Sequence, residues 1–218
     1  MKDFTSITVL LDRSGSMHDI QKDVVGGFNN FVTEQKEAGE NADLTLIQFD
    51  TEATEIVINA QPIRTVGPLT NYVPRGGTPL RDALGFALVT TGERLAALPE
   101  ADRPDKVVFV IITDGEENSS HEYSQDRIKE MVKEQEEKYG WQFIYIGANV
   151  DAFDQAAQVQ IRGAMAASYQ ATGQSMNAAY GAVSSNVRKY RGSGQSVDLA
   201  FTKKQRDDLN KKDTTTGD

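Results

Sequence analysis

Short blocks of consecutive apolar residues alternate along the chain with longer stretches in which apolar positions recur every three or four residues. The first pattern marks strands covered on both faces, the second amphipathic helices. "SITVLL" (6–11) is the first block, and Ile20, Val24, Phe28, Phe31 and Val32 then fall at helical spacing within 19–37. "ADLTLIQF" (42–49) and "TEIVI" (54–58) are separated only by "DTEA", which predicts a hairpin carrying an antiparallel edge strand. After the loop "VGPLTNYVPRGG", Leu80, Leu84, Leu88 and Leu95 mark a helix from Pro79 to about Leu98. "KVVFVIIT" (106–113) is almost wholly apolar and belongs at the centre of the sheet. A charged helix over about 123–138 presents Ile128, Met131 and Val132, and "WQFIYIGA" (141–148) is another strand. A short helix over 151–159, a last edge strand in "GAMAASY" and a final amphipathic helix through Met176, Tyr180, Val183, Val187 and Tyr190 complete the pattern. The fold class this predicts is α/β: a doubly wound, mostly parallel sheet with one antiparallel edge strand.

Beyond "RGSGQS" the chain turns polar. Thr202 to Gln205 has the spacing of a capping box, so a short exposed helix is expected before "KKDTTTGD", which reads as disordered. The expected organisation is one domain over 1–191 and a polar tail over 192–218. No internal repeat or low-complexity block interrupts it.

The 218 residues carry a formal charge of −9, which argues against general binding to nucleic acid or anionic membranes, because both need a basic surface to displace counterions. There are no cysteines and only two histidines, so disulfides, thiolate zinc sites and cysteine nucleophiles are excluded. The start of the sequence lacks the layout of a signal peptide and no stretch is apolar enough to span a membrane, so a cytoplasmic protein is expected.

Open parallel sheets bind ligands beyond the carboxyl ends of their strands. Three polar groups fall there: Asp12, Ser14 and Ser16 after the first strand, Thr78 after "PRGG", and Asp114 after the central strand. The first and central strands can be neighbours in such a sheet, which would bring their loops over one pocket. Hydroxyl and carboxylate oxygens are hard ligands that suit Mg²⁺ or Mn²⁺, and a donor set made mostly of neutral hydroxyls leaves the ion positive enough to attract a partner's Asp or Glu. Thr78 followed by Pro79 also reads as a helix N-cap and first-turn pair. Asp114 with Gly115 also reads as a turn.

"DRSGSM" after a strand, "GGTPLRDAL" and "FVIITDGEEN" together resemble the metal-ion-dependent adhesion site, or MIDAS, of von Willebrand factor A domains. The resemblance runs from about Ile7 to Asn149, and the helix to about Tyr190 would complete the domain. It implies that Asp12, Ser14 and Ser16 form the DxSxS loop, Thr78 is the threonine ligand and Asp114 the second acid. It further implies a divalent cation, usually Mg²⁺, that bridges to an acidic group of a protein partner. In style the chain is similar to compact intracellular domains of bacteria and their phages.

Other conspicuous residues read more simply. His18 is expected on a solvent-facing helix position, His121 near the rim of the site, and the Asn118–Ser120 glycosylation triplet has no consequence in a chain that is not secreted. The run "KEMVKEQEEKYG" is a solvated helix face, Tyr180 and Tyr190 are core contacts, and Trp141 covers an edge of the core. Two further functions compete with cation-dependent protein binding. One is a metal-independent assembly scaffold. The other is a Mg²⁺ phosphatase with Asp12 as nucleophile, which needs a second acid two residues on, where this chain has Ser14. With no GxSxG, GxxxxGK or GxGxxG motif either, the chain is not expected to be an enzyme.

Overall fold

The computed structural model describes residues 3–148, 152–170, 172–193 and 199–210. Its elements are β1 (Thr5–Asp12), α1 (Gln21–Glu37), β2 (Ala42–Phe49), β3 (Thr54–Pro62), α2 (Leu80–Ala96), β4 (Lys106–Thr113), α3 (Gln125–Tyr139), β5 (Gln142–Ala148), α4 (Ala152–Gln158), β6 (Ala166–Tyr169), α5 (Gly173–Gly192) and α6 (Lys203–Leu209). The six strands lie in the order β3-β2-β1-β4-β5-β6. All neighbours are parallel except β2 and β3, the hairpin that places the antiparallel strand at one edge. This is the doubly wound sheet that the apolar blocks predict.

Burial explains the composition of the strands. β1 and β2 are buried along their whole length, and β4 is buried from Val107 onward. Such strands have no solvent-facing side and are therefore rich in apolar residues, with the few polar ones, such as Ser6 and Asp43, buried and paired. The edge strand β3 is mostly exposed, and it runs four residues past the expected end, to Pro62, by way of two register shifts against β2. At the shift between the Ile58 and Gln61 pairings, Ala60 takes a positive φ of 43° and its N–H donates to Thr45 Oγ1 at 3.0 Å.

α1 and α5 pack against each other, and α2 packs against α3. The first pair approaches so closely that a Cβ at Gly27 would lie 2.1 Å from Tyr180 Cδ2, so α1 needs glycine there. Tyr180 and Tyr190 are core residues, and Trp141 is buried with its ring stacked on Phe109 at 5.4 Å.

The helix expected from the capping box is present: Gln205 N–H donates to Thr202 Oγ1 at 3.2 Å while Thr202 N–H donates to Gln205 Oε1 at 2.8 Å. It is docked rather than exposed. Leu199, Phe201 and Leu209 are buried, Phe201 N–H donates to Ala164 O at 2.9 Å, and Arg206 Nη2 donates to the carbonyls of Gly163, Ala164 and Ala166 at 2.9 to 3.2 Å. The disorder expected for 211–218 falls outside the described residues. Among the described residues, no helix is long and apolar enough to cross a membrane.

Candidate metal centre

Because β1 and β4 are parallel neighbours, Asp12 at the end of β1 and Asp114 just past β4 emerge side by side at the carboxyl end of the sheet. Asp12 is fully buried and both of its oxygens are engaged. Oδ1 accepts the Ser14 N–H at 2.7 Å, which bends the chain back over the strand end, and Oδ2 accepts Thr113 Oγ1 at 2.5 Å. The bend turns the two serine hydroxyls toward each other, Oγ to Oγ 3.0 Å, and Ser16 Oγ donates to Asp114 Oδ1 at 2.6 Å. Ser14 is buried while Ser16 is exposed, so the set opens to solvent on the Ser16 side.

Thr78 arrives from the loop before α2. Its N–H donates to Asn118 Oδ1 at 3.0 Å and its carbonyl accepts the Asn118 N–H at 3.2 Å, which pins it against the segment after β4. A Cβ on Gly115 would lie 2.6 Å from Thr78 Oγ1 and 3.4 Å from Ser16 Oγ. The threonine hydroxyl therefore sits against the Asp114–Gly115 turn, beside Ser16, where only a glycine leaves it room. All five residues singled out in the sequence, Asp12, Ser14, Ser16, Thr78 and Asp114, come together.

One expectation for Thr78 changes. α2 starts at Leu80 with Pro79 at the N-cap position and no side-chain cap. Its first amides go elsewhere: Arg81 N–H donates to Glu117 Oε2 at 2.8 Å and Asp82 N–H to Ser120 Oγ at 3.1 Å. Asp82 reciprocates by accepting the N–H groups of His121, Glu122 and Tyr123 at 2.7, 3.0 and 2.9 Å. The loop after β4 thus does the capping that threonine was expected to do.

The electrostatics of the set are one-sided. Burial, with a smaller contribution from the charge of Asp114, pushes the Asp12 carboxyl up to about 6 against the opposing hydrogen bonds from Thr113 and Ser14. Burial also raises Asp114, and its bond from Ser16 offsets part of that. Neither acid is ion-paired to Lys, Arg or His among the described residues. Two carboxylates and three hydroxyls, all hard oxygen donors without a counter-cation, fit a hard divalent ion. Among the described residues no cluster of three or more His, Cys, Asp or Glu offers an alternative.

Several supporting residues carry no local sequence signal. Tyr72 OH donates to Asp12 O at 2.5 Å, Thr113 holds the Asp12 carboxylate, and Asn118, flagged only as a glycosylation triplet, positions Thr78. His18 is exposed beside Asp19 and His121 is exposed at the rim; neither side chain enters the five-residue set.

The family model of the von Willebrand factor type A domain matches residues 6–178, and the chain belongs to this family of protein-interaction modules. Among solved structures it is similar to proximal thread matrix protein 1 from the mussel byssus with a zinc-occupied MIDAS motif (16% identity, TM-score 0.57, 82% of this chain and 46% of that one). It is also similar to the pilus adhesin SpaC from Lactobacillus rhamnosus GG in an open conformation (13%, 0.62, 85% and 30%). A third likeness is to the vWF domain of the type V pili tip protein Mfa5 from Porphyromonas gingivalis (11%, 0.58, 89% and 98%). At these identities the likeness shows the fold. The chain spans less than half the length of the first two proteins. No curated protein matches it.

Proposed function

We propose that Asp12, Ser14, Ser16, Thr78 and Asp114 form a metal-ion-dependent adhesion site for Mg²⁺ or Mn²⁺, and that the domain binds a partner protein whose Asp or Glu completes the coordination. The observation that carries this reading is the contact chain from Ser14 to Ser16 to Asp114, with the Thr78 hydroxyl against Gly115 beside it. Ser14, Ser16 and Thr78 supply neutral donors, and the two acids hold the set together from behind and beside it. The bound cation would supply concentrated positive charge on the open face, which an incoming carboxylate can meet. The zinc-occupied MIDAS of the mussel protein supports the idea that this fold can carry a dication. Asp12 is poorly suited to attack a substrate, because it is buried with both oxygens hydrogen-bonded.

Mn²⁺ titration of the full chain tests the reading. The folded wild-type protein should take up one ion and lose it to EDTA. Thr78→Ala and Asp12→Ala should abolish uptake while circular dichroism shows the fold retained. A folded wild-type chain that takes up neither Mn²⁺ nor Mg²⁺ sinks the reading.

A further inference from the structure

The turn between β2 and β3 supplies none of the five site residues, yet it grips both loops that carry the hydroxyls. Asp50, just past β2, has a side chain that is 0% exposed, and its carboxylate is filled by four donors. Oδ2 accepts Arg13 Nε at 2.7 Å and Arg75 Nε at 3.0 Å, while Oδ1 accepts the N–H groups of Glu52 and Ala53 at 2.7 and 3.0 Å. Arg13 lies between Asp12 and Ser14 in the sequence, and Arg75 lies just before Gly76, Gly77 and Thr78.

Main-chain bonds join the same two loops. Arg75 N–H donates to Arg13 O at 2.8 Å and Gly15 N–H to Gly76 O at 3.0 Å. Thr51, the next residue of the turn, accepts the Gly77 N–H on Oγ1 at 3.1 Å. Gly76 has a φ of 65° and a Cβ there would lie 2.2 Å from Thr51 Oγ1, so glycine is required on both counts. The remaining charges are matched nearby: Arg13 Nη1 reaches Glu55 at 2.9 Å and Arg75 Nη1 reaches Glu52 at 3.2 Å.

We infer that Asp50 is a positioning residue that fixes the Ser14–Ser16 loop against Thr78 through Arg13 and Arg75, and thereby sets cation affinity from outside the ligand set. The inference rests on the cation-binding reading above. The physical effect is preorganisation. Neutral hydroxyls hold a dication well only when their loops are already in place, so the clamp removes an ordering cost from binding.

β2 contains its own control. Asp43, near the other end of the strand, is also buried and also partnered, by Ser6 Oγ at 2.7 Å and Arg94 Nη1 at 3.4 Å. Its removal disturbs a buried carboxylate without touching the site loops. The experiment measures Mn²⁺ affinity by titration calorimetry and metal-free thermal unfolding for the full-length wild type, Asp50→Asn, Asp43→Asn and Arg75→Gln. Asp50→Asn should weaken Mn²⁺ binding about 10-fold to 100-fold, the range for outer partners of metal sites, and Arg75→Gln should weaken it in the same direction. Asp43→Asn should leave the affinity unchanged, whichever way it moves the unfolding temperature. Unchanged affinity in Asp50→Asn, or equal weakening in Asp43→Asn, overturns the positioning role while the cation reading stands. If Asp50→Asn fails to fold, Arg75→Gln decides, since its side chain is 39% exposed, and unchanged affinity there overturns the role. No uptake by the wild-type protein overturns both.

Discussion

Asp43 at the amino end of the sheet and the Asp12–Asp114 pair at its carboxyl end differ in the partners they find. At the amino end Asp43, Lys106 and Arg191 each have polar partners in the chain. Asp43 meets Arg94 at 3.4 Å and Ser6 at 2.7 Å, with Arg94 Nη2 also donating to Ser6 Oγ at 2.8 Å. Lys106 Nζ donates to the carbonyls of Arg191 and Ser193 and sits 5.7 Å over the Tyr190 ring. Arg191 donates to the carbonyls of Gln35 and Gly39 at the end of α1. At the carboxyl end, Asp12 and Asp114 accept from hydroxyls and an N–H group, and neither has a Lys, Arg or His partner among the described residues. A buried charge is costly unless something compensates it. Asp43 has a cation within the chain, as Asp50 does at the carboxyl end, whereas Asp12 and Asp114 have none among the described residues and leave room for the proposed cation.

The sharpest way to test that contrast is to supply the cation. An ion at 100 times its dissociation constant adds about 2.7 kcal/mol to the unfolding free energy. For a chain of this size that raises the unfolding temperature by about 5 to 10 °C. Thermal scans in Mn²⁺ and in EDTA should show this gap for the wild type and no gap for Thr78→Ala. An equal unfolding temperature in both buffers would erase the distinction between the two ends.

A smaller effect is expected from breaking the amino end. Arg94→Ala leaves the buried Asp43 carboxylate with Ser6 alone and should cost about 1 to 2 kcal/mol, below the value for a fully buried pair because the Arg94 side chain is 23% exposed. The two ends share no partner, so the Mn²⁺ increment should survive intact in this variant. Urea unfolding with and without Mn²⁺ measures both quantities. A diminished increment would mean that the amino end contributes to cation binding after all.

What could be read from the chain beforehand follows the same division between local and distant causes. The central strand and the antiparallel edge were legible because "KVVFVIIT" is almost wholly apolar and "DTEA" is too short for a crossover. The five candidate residues could be picked out because they stand at strand ends in motifs that resemble the MIDAS pattern, and those are local features. Their supports were not. Arg13 stands inside the first motif, but its partner Asp50 is 37 residues away, and nothing in the spacing links them. Thr78 before Pro79 carries the same local chemistry whether or not it caps the helix; what decides is Glu117 and Ser120, which take the amides of Arg81 and Asp82, 36 and 38 residues before them. The docking of α6 depends on Leu199, Phe201 and Leu209, three apolar residues too sparse to form a periodic signal within a polar stretch.

The finest test compares the acid titration of the two β2 carboxylates in the metal-free protein. Burial pushes Asp50 up, but the N–H groups of Ala53 and Glu52, followed by Arg13 and Arg75, outweigh it and hold the carboxyl below its usual 3.8. Burial raises Asp43 above 3.8, and Ser6 and Arg94 offset only part of that. The signs therefore differ. Asp50 contributes stability that is present above the unfolded value and lost as pH falls through its lower folded value. Asp43 takes up its proton more readily in the folded state, so acidification from above its folded value down to 3.8 favours folding. Urea unfolding between about pH 7 and pH 3 should show the advantage of wild type over Asp50→Asn shrinking toward acid, and the advantage of wild type over Asp43→Asn growing. Each difference should be smaller than the Arg94→Ala effect. If both change in the same direction, the two carboxylates are held alike, and the clamp at the carboxyl end loses the four-donor grip that sets it apart.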